Sequence, residues 1–161
     1  MAAMLPMSIS SVIIGLGYYI TSRFLGRGSA FSLIVLAHVV ITLPFCLRAI
    51  MPVYRAMPEN LPKSALTLGC SPFRTFMSIE LPLLRSALLT SFAFAFAISV
   101  GEMNATLMLS SNSIETIPVA IYRLINAYNY QGACALGTVL IIVCLAVFIT
   151  TEAARKRSIH A

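Results

Sequence analysis

The run AFSLIVLAHVVITLPFCLRAI, residues 30–50, carries a single charged side chain, Arg48, close to its end. A helix needs about 20 mostly apolar residues to cross a hydrocarbon core of about 30 Å, and this run has that length. Pro44 lies inside it, which a membrane helix tolerates when neighbours satisfy the freed carbonyl. Three further stretches read the same way: about Ala2 to Ile20, from after Pro82 to about Leu109, and about Cys134 to Thr151. The chain is 59% apolar and 10% charged and contains no Asp. Soluble domains carry roughly 25% charged residues, so lipid has to cover what this surface cannot. The expectation is an all-α integral membrane protein of about four transmembrane helices, with residues 1–161 forming one transmembrane domain.

Several function classes fall away at this level. The net charge is +6, but the basic residues lie between apolar runs and at the C-terminus. They do not form the basic stripe of a nucleic-acid binder. Cys46, Cys70, Cys134 and Cys144 are dispersed, and His38 and His160 are far apart, so neither a disulfide framework nor a metal site is implied. There is no Gly-Lys-Ser/Thr phosphate loop. With two His, no Asp and five scattered Glu, no acid, base and nucleophile converge, so no catalytic residue or cofactor is expected. The N-terminus MAAMLPMSIS has no basic stretch before its apolar run, so no cleavable signal peptide is expected.

The basic residues set the orientation. Arg48, Arg55, Lys63, Arg74 and Arg85 flank or fill the loop between the second and third spans, and Arg155, Lys156 and Arg157 close the chain. Arg23 and Arg27, beside the Gly26 and Gly28 turn, and Arg123 fall on the other side. The positive-inside rule then puts both termini and the Met51–Pro82 loop in the cytoplasm. The stretch from Ser110 to Gly132 reads as a loop plus a short interfacial helix, with Tyr122, Tyr128 and Tyr130 at headgroup level.

Within the cytoplasmic loop, PENLPKSALTLGCSPFRTFMSIELP (residues 58–82) reads as two short helices around a break. The first runs from Pro62 to about Leu68. Gly69 is placed to end it in a left-handed conformation, and Ser71 and Pro72 restart the chain as N-cap and first helical residue. The second runs to about Leu81, with Phe73, Phe76 and Met77 at helical spacing. Docking to a cytoplasmic partner and an ordinary inter-helix loop lying on the bilayer are both compatible with this pattern. In the third span, Ala87, Ser91, Ala95 and Ser99 form one row of small residues and Ala93, Ala97 and Gly101 another, with Phe92 and Phe96 on a third side. Two such rows imply neighbours on two sides. Glu102 is either a pathway or gating group or an outer-interface residue. His38, mid-span, either lines a pathway or is a neutral core histidine.

Lys63-Ser64-Ala65, then Gly69, then Ile79-Glu80-Leu81-Pro82 has the spacing of the cytoplasmic "EAA loop" of binding-protein-dependent ABC importer permeases. The Cys70–Phe76 run, Gly101-Glu102-Met103-Asn104-Ala105-Thr106 and Thr116-Ile117-Pro118-Val119-Ala120-Ile121-Tyr122 also resemble that family, and the resemblance covers nearly all of the chain. The resemblance implies the C-terminal core of a type I ABC permease, in a bacterial inner membrane. It implies two cytoplasmic ATP-binding subunits, a second permease chain or half, and an extracytoplasmic solute-binding protein as partners. Ala65, Gly69, Ser71, Phe73, Ile79, Leu81 and Pro82 would form the ATPase-coupling loop, and Glu102, Asn104, Ser99 and His38 a pathway or gate. Hydrolysis would belong to the partner. Lys63 departs from the family's Glu, so a salt bridge made by that Glu is absent or reversed. The family's usual subunit has about six spans, so this chain is expected to lack the first ones, and a truncated, non-transporting scaffold is the alternative. The 101–106 and 117–122 segments look more like permeases for ferric iron, thiamine, polyamines or oxyanions than those for sugars or peptides.

Overall fold

The computed structural model describes residues 2–26, 29–110 and 114–159. Arg27, Gly28 and His160, named above, lie outside them. The described residues are almost entirely helical. A 3₁₀ segment, Ala2–Ser8, leads into α1 (Ser11–Leu25), followed by α2 (Ala30–Ala56) and α3 (Asn60–Thr67). Next come α4 (Pro72–Thr75), a π-helical turn (Phe76–Glu80) and α5 (Leu81–Gly101). The chain then forms α6 (Asn104–Leu109), α7 (Ile117–Asn126) and α8 (Tyr130–Ile159).

Among the described residues, three helical stretches are long and apolar enough to cross a membrane: Ala30–Ala56, Pro72–Gly101 and Tyr130–Lys156. The stretch expected to be the first span is divided. Pro6 sits in the 3₁₀ segment and Ser10 is extended (φ −62°, ψ 137°), so the α-helix begins only at Ser11. At about 1.5 Å per residue, α1 is about 22 Å long. It ends on Gly26, which takes the left-handed conformation (φ 59°) that glycine adopts without steric cost.

The third span departs further from its expected bounds. It begins at Pro72 rather than after Pro82, because α4, the π-turn and α5 form one continuous 30-residue helix. It stops at Gly101 rather than Leu109. Glu102 is extended (φ −74°, ψ 114°), and the residues beyond it form α6, which packs against α1 and α2. A short re-entrant helix of this kind is tolerated where protein, rather than lipid, surrounds it.

The buried core lies at that junction. Ile34 and Ala37 of α2 meet Ala105 and Leu109 of α6, with Ile14 and Tyr18 of α1 packed around them. The α1–α6 crossing is close enough that a Cβ on Gly15 would lie 2.7 Å from the Ala105 carbonyl oxygen. α5 packs against α2, α8 and α7. Its buried residues include Ala87, Ser91 and Ala93, drawn from both small-residue rows. Phe92 and Phe96 stack with centroids 6.3 Å apart.

Only 6% of the apolar stretch of α8 is buried by the rest of the chain, against 22% for α2. Ile141, Ile142 and Ile149 are more than half exposed. In water such a surface would be an association liability, and in a bilayer it is the ordinary outer face of a span.

Candidate functional site

Two regions bring candidate side chains together, one at each end of α5. The first is the hairpin of α3 and α4. Helix α3 ends in a Schellman motif: Gly69 N–H donates to Leu66 O at 3.0 Å and Cys70 N–H to Ala65 O at 3.0 Å, with Gly69 left-handed at φ 86°. Two residues later Ser71 N-caps α4, its Oγ accepting from Arg74 N–H at 3.3 Å, and Pro72 occupies the first turn where its missing N–H costs nothing.

The hairpin turns apolar side chains outward. Leu68 is 85% and Phe73 72% exposed, and Phe76 and Met77 are exposed beside them. Gly69, Ser71 and Pro82 are also exposed, while Ile79 and Leu81 are half-buried. Ala65 is buried, as is Thr75 on α4, and the two short helices pack on one another. Ala65 therefore acts inside the hairpin rather than on its surface. Lys63 Nζ pairs with Glu59 Oε2 at 2.6 Å, but both are largely exposed, and such pairs contribute about 0–1 kcal/mol.

The π-turn joins this hairpin to the span. Leu81 N–H reaches back five residues to Phe76 O. In a regular α-helix the Pro82 ring would clash with the Ser78 carbonyl, and the wider π-turn gives that carbonyl room. Sequence reasoning read Pro82 as a boundary and missed the turn.

The second region is a cavity of about 660 Å³ between α2, α5 and the segment entering α7. His38 and Thr42 line it from α2, Phe92, Phe96 and Ser99 from α5, and Glu115 and Thr116 from the segment before α7. His38 Nδ1 is 2.7 Å from Ile34 O, and Nε2 is 3.1 Å from Ser99 O, tying α2 to α5. Thr42 Oγ1 donates back to His38 O at 2.7 Å. Glu115 Oε2 pairs with Arg123 Nη1 at 2.7 Å, both side chains being about half exposed. The Thr116 hydroxyl is buried without a hydrogen-bond partner among the described residues. Among the described residues no three His, Cys or Glu side chains come together as metal ligands.

Of the four candidate pathway residues, His38 and Ser99 meet in this cavity, and Glu102 and Asn104 do not line it. Glu102, one residue before the N-cap Met103, accepts the Ala105 N–H on its Oε1 at 2.7 Å, a capping bond that satisfies a free N–H in the first turn of α6. Asn104 is exposed on the first turn of α6. Glu102→Ala is expected to lower stability by about 1 kcal/mol, whereas Glu102→Gln keeps an acceptor and loses less. Thermal melts of the purified assembly in detergent would read this, and equal melts for the two variants would rule out the cap. Thr42 and Glu115 went unnoticed in the sequence, where Thr116 stood out only as part of a family segment and Arg123 only for its charge. Only Thr42, one helical turn after His38, carried a readable signal.

The profile of the family described as "binding-protein-dependent transport system inner membrane component" matches residues 2–158. A protein of Nephroselmis olivacea named as a probable sulfate transport system permease, cysT, is 35% identical over 115 residues, which is 70% of this chain and 40% of that protein. Its namesake in Anthoceros angustus is 34% identical over 131 residues, 80% of this chain and 43% of that protein. PhnV of Salmonella typhimurium, named for a 2-aminoethylphosphonate transport system permease, is 28% identical over 155 residues, 95% of this chain and 58% of that protein. The chain thus spans about half the length of the curated relatives it matches.

Proposed function

Because the chain belongs to the binding-protein-dependent transport system inner membrane components, a family of multi-pass ABC permeases, we propose that it forms part of the translocation pathway of an ATP-driven importer for a small oxyanion. Residues 1–161 act as one transmembrane permease domain, with α1 and the 3₁₀ segment before it crossing as a fourth, shorter span, so that the 58–82 hairpin and both termini lie on the cytoplasmic side. Its partners are two cytoplasmic ATP-binding subunits, a second permease chain or half, and an extracytoplasmic solute-binding protein. Hydrolysis takes place on the ATP-binding subunits. The oxyanion reading is supported by the sulfate and 2-aminoethylphosphonate named for its relatives.

The observation that carries the coupling role is the hairpin itself. It is an ordered helical pair held by a Schellman motif and a serine cap, it exposes Leu68 and Phe73, and it continues as one helix into the third span. Apolar side chains held outward on a rigid element suit insertion into a groove of a partner. The continuous helix supplies the lever by which movement of that partner reaches the membrane. Gly69, Ser71 and Phe73 lie on the docking face, Ala65 packs the hairpin from within, and Ile79, Leu81 and Pro82 form the joint with the span.

The test is gentle extraction of the tagged chain from its own membranes, with identification of the chains that come with it. An ATP-binding subunit is expected among them. Phe73→Asp, which places a charge in the apolar contact, should cost at least about 2 kcal/mol of binding, a loss of about thirtyfold or more. Melting behaviour should be unchanged, because the residue is exposed. A chain recovered folded and without an ATP-binding subunit would replace this reading with that of a non-transporting scaffold.

A further inference from the structure

Where α2 ends and the chain turns back into α3, the two helices and the π-turn leave a cavity of about 490 Å³ between them. Its depth in the bilayer follows from helix length. About 20 helical residues cross a hydrocarbon core of about 30 Å, and the headgroup layers add about 5–8 Å on each side. Counted back from Gly101, that core ends near Pro82, so Glu80 lies just beyond it on the cytoplasmic side. Counted forward from Ala30, it ends near Ile50, so Tyr54 and Arg55 lie about 6–8 Å past it. Both counts put the cavity level with the lipid headgroups.

The charges that line it are not all paired. Lys63 and Glu59 neutralise one another at 2.6 Å. Arg55, near the end of α2, and Glu80, the last residue of the π-turn, line the cavity too. Neither forms an ion pair or a side-chain hydrogen bond among the described residues. One uncommitted cation and one uncommitted anion thus line the same space from separate elements. An anionic ligand there would be repelled by Glu80 and a cationic one by Arg55, whereas a zwitterion satisfies both. Met57, Pro62 and Leu66 add apolar surface. Tyr54 is about half exposed, and an aromatic ring with a wet hydroxyl suits this depth.

We propose that this cavity holds the headgroup of a zwitterionic phospholipid with a primary ammonium, as in phosphatidylethanolamine. The Arg55 guanidinium takes the phosphate, whose oxygens match its planar fork. The ammonium, with three N–H donors as in lysine, donates to the Glu80 carboxylate, and a trimethylammonium has no N–H to give. Met57 and Leu66 cover the glycerol end. The lipid bridges α2 to the joint that Glu80 forms with the third span. This rests on the cytoplasmic placement of the 58–82 hairpin proposed above, and on the identity of no protein partner. Free phosphoethanolamine carries the same two groups, and the depth of the cavity favours the lipid over it.

The experiment is photolabelling of the intact assembly in phosphatidylcholine nanodiscs. The probe is a phosphatidylethanolamine with a diazirine beside the glycerol and an unaltered headgroup, and labelled peptides are identified by mass spectrometry. Label is expected on residues 54–66 and around Glu80. Unlabelled phosphatidylethanolamine should displace it at least about tenfold better than phosphatidylcholine or phosphatidylglycerol, the value of one charge-assisted hydrogen bond. Arg55→Gln and Glu80→Gln should each weaken labelling by a similar factor, with thermal melts as the check on folding. If either variant melts early, the competition on the unaltered protein still decides. Equal displacement by phosphatidylcholine overturns the ammonium contact, and with it the proposal. Better displacement by phosphatidylglycerol makes this an anion site and overturns it too. Displacement by free phosphoethanolamine at the same concentration assigns the cavity to a soluble ligand instead, and label found only elsewhere on the chain leaves no lipid site here. Recovery of the ATP-binding subunit is scored in the same preparation. A failed label beside a recovered subunit sinks the lipid site and leaves the importer reading standing.

Discussion

Gly15→Leu is expected to prevent α1 from seating on α6, with most of the folded yield lost. A Cβ at this position would lie 2.7 Å from the Ala105 carbonyl oxygen and 2.8 Å from its Cα. These are backbone atoms of a helix held at its start by Glu102 and buried around Ala105 and Leu109, so they cannot move aside as a flexible side chain would. Forcing extra carbons into packed protein costs about 1–3 kcal/mol, and a rigid backbone partner puts this case at the upper end. Even Gly15→Ala should be felt at about 2 kcal/mol. Gly17, one half-turn away, provides the control: nothing lies within 4 Å of its Cβ position. Gly17→Ala should be neutral or stabilising by up to about 1 kcal/mol, since alanine is the better helix former. Thermal melts of both variants in one detergent separate contact from propensity. Equal melts would mean that α6 does not pack on α1 as described.

Gly69→Val is expected to abolish transport with the transmembrane bundle intact. No atom lies within 4 Å of a Cβ at this position, so there is no clash to relieve. The cost comes from the backbone alone, at φ 86°. Left-handed conformations cost roughly 1–2 kcal/mol for ordinary L-residues, and more for a β-branched one. Relieving the strain would break the Cys70 and Gly69 bonds to Ala65 and Leu66, and the angle between α3 and α4 would be lost with them. Asparagine visits the left-handed region readily, so Gly69→Asn should retain most activity. The measurements are transport, ATPase activity and recovery of the ATP-binding subunit, with melting temperature as the check on folding. Transport and ATPase recovery at the unaltered level in Gly69→Val would show that the hairpin is not the coupling element.

The α3–α4 hairpin was legible because its signals are local. A glycine at the end of one short helix and Ser71-Pro72 at the start of the next report on dihedral angles and orphan N–H groups within a few residues. The ends of the third span were less legible. Pro82 reads as a helix boundary because its ring crowds the carbonyl four residues back in a regular α-helix, and here a π-turn upstream makes the room. Apolar residues beyond Gly101 read as more of the same span, since hydropathy does not register a carboxylate that caps a new helix. The candidate cavity was half visible: His38 and Ser99 could be named as pathway residues, but nothing in a sequence separation of 61 residues says that they touch.

Composition and apolar run length thus determined that the chain is a helical membrane protein, because transfer free energy depends on which side chains a segment carries and how many are consecutive. Local capping chemistry determined the hairpin. Tertiary structure alone decided that α6 folds back onto Gly15, that α4 and the third span are one continuous helix, and that both nitrogens of His38 face carbonyl oxygens. Each of these depends on a short-range contact or a helical register set by packing between distant segments. Steric exclusion and hydrogen bonding act over a few ångströms in space, whatever the distance along the chain.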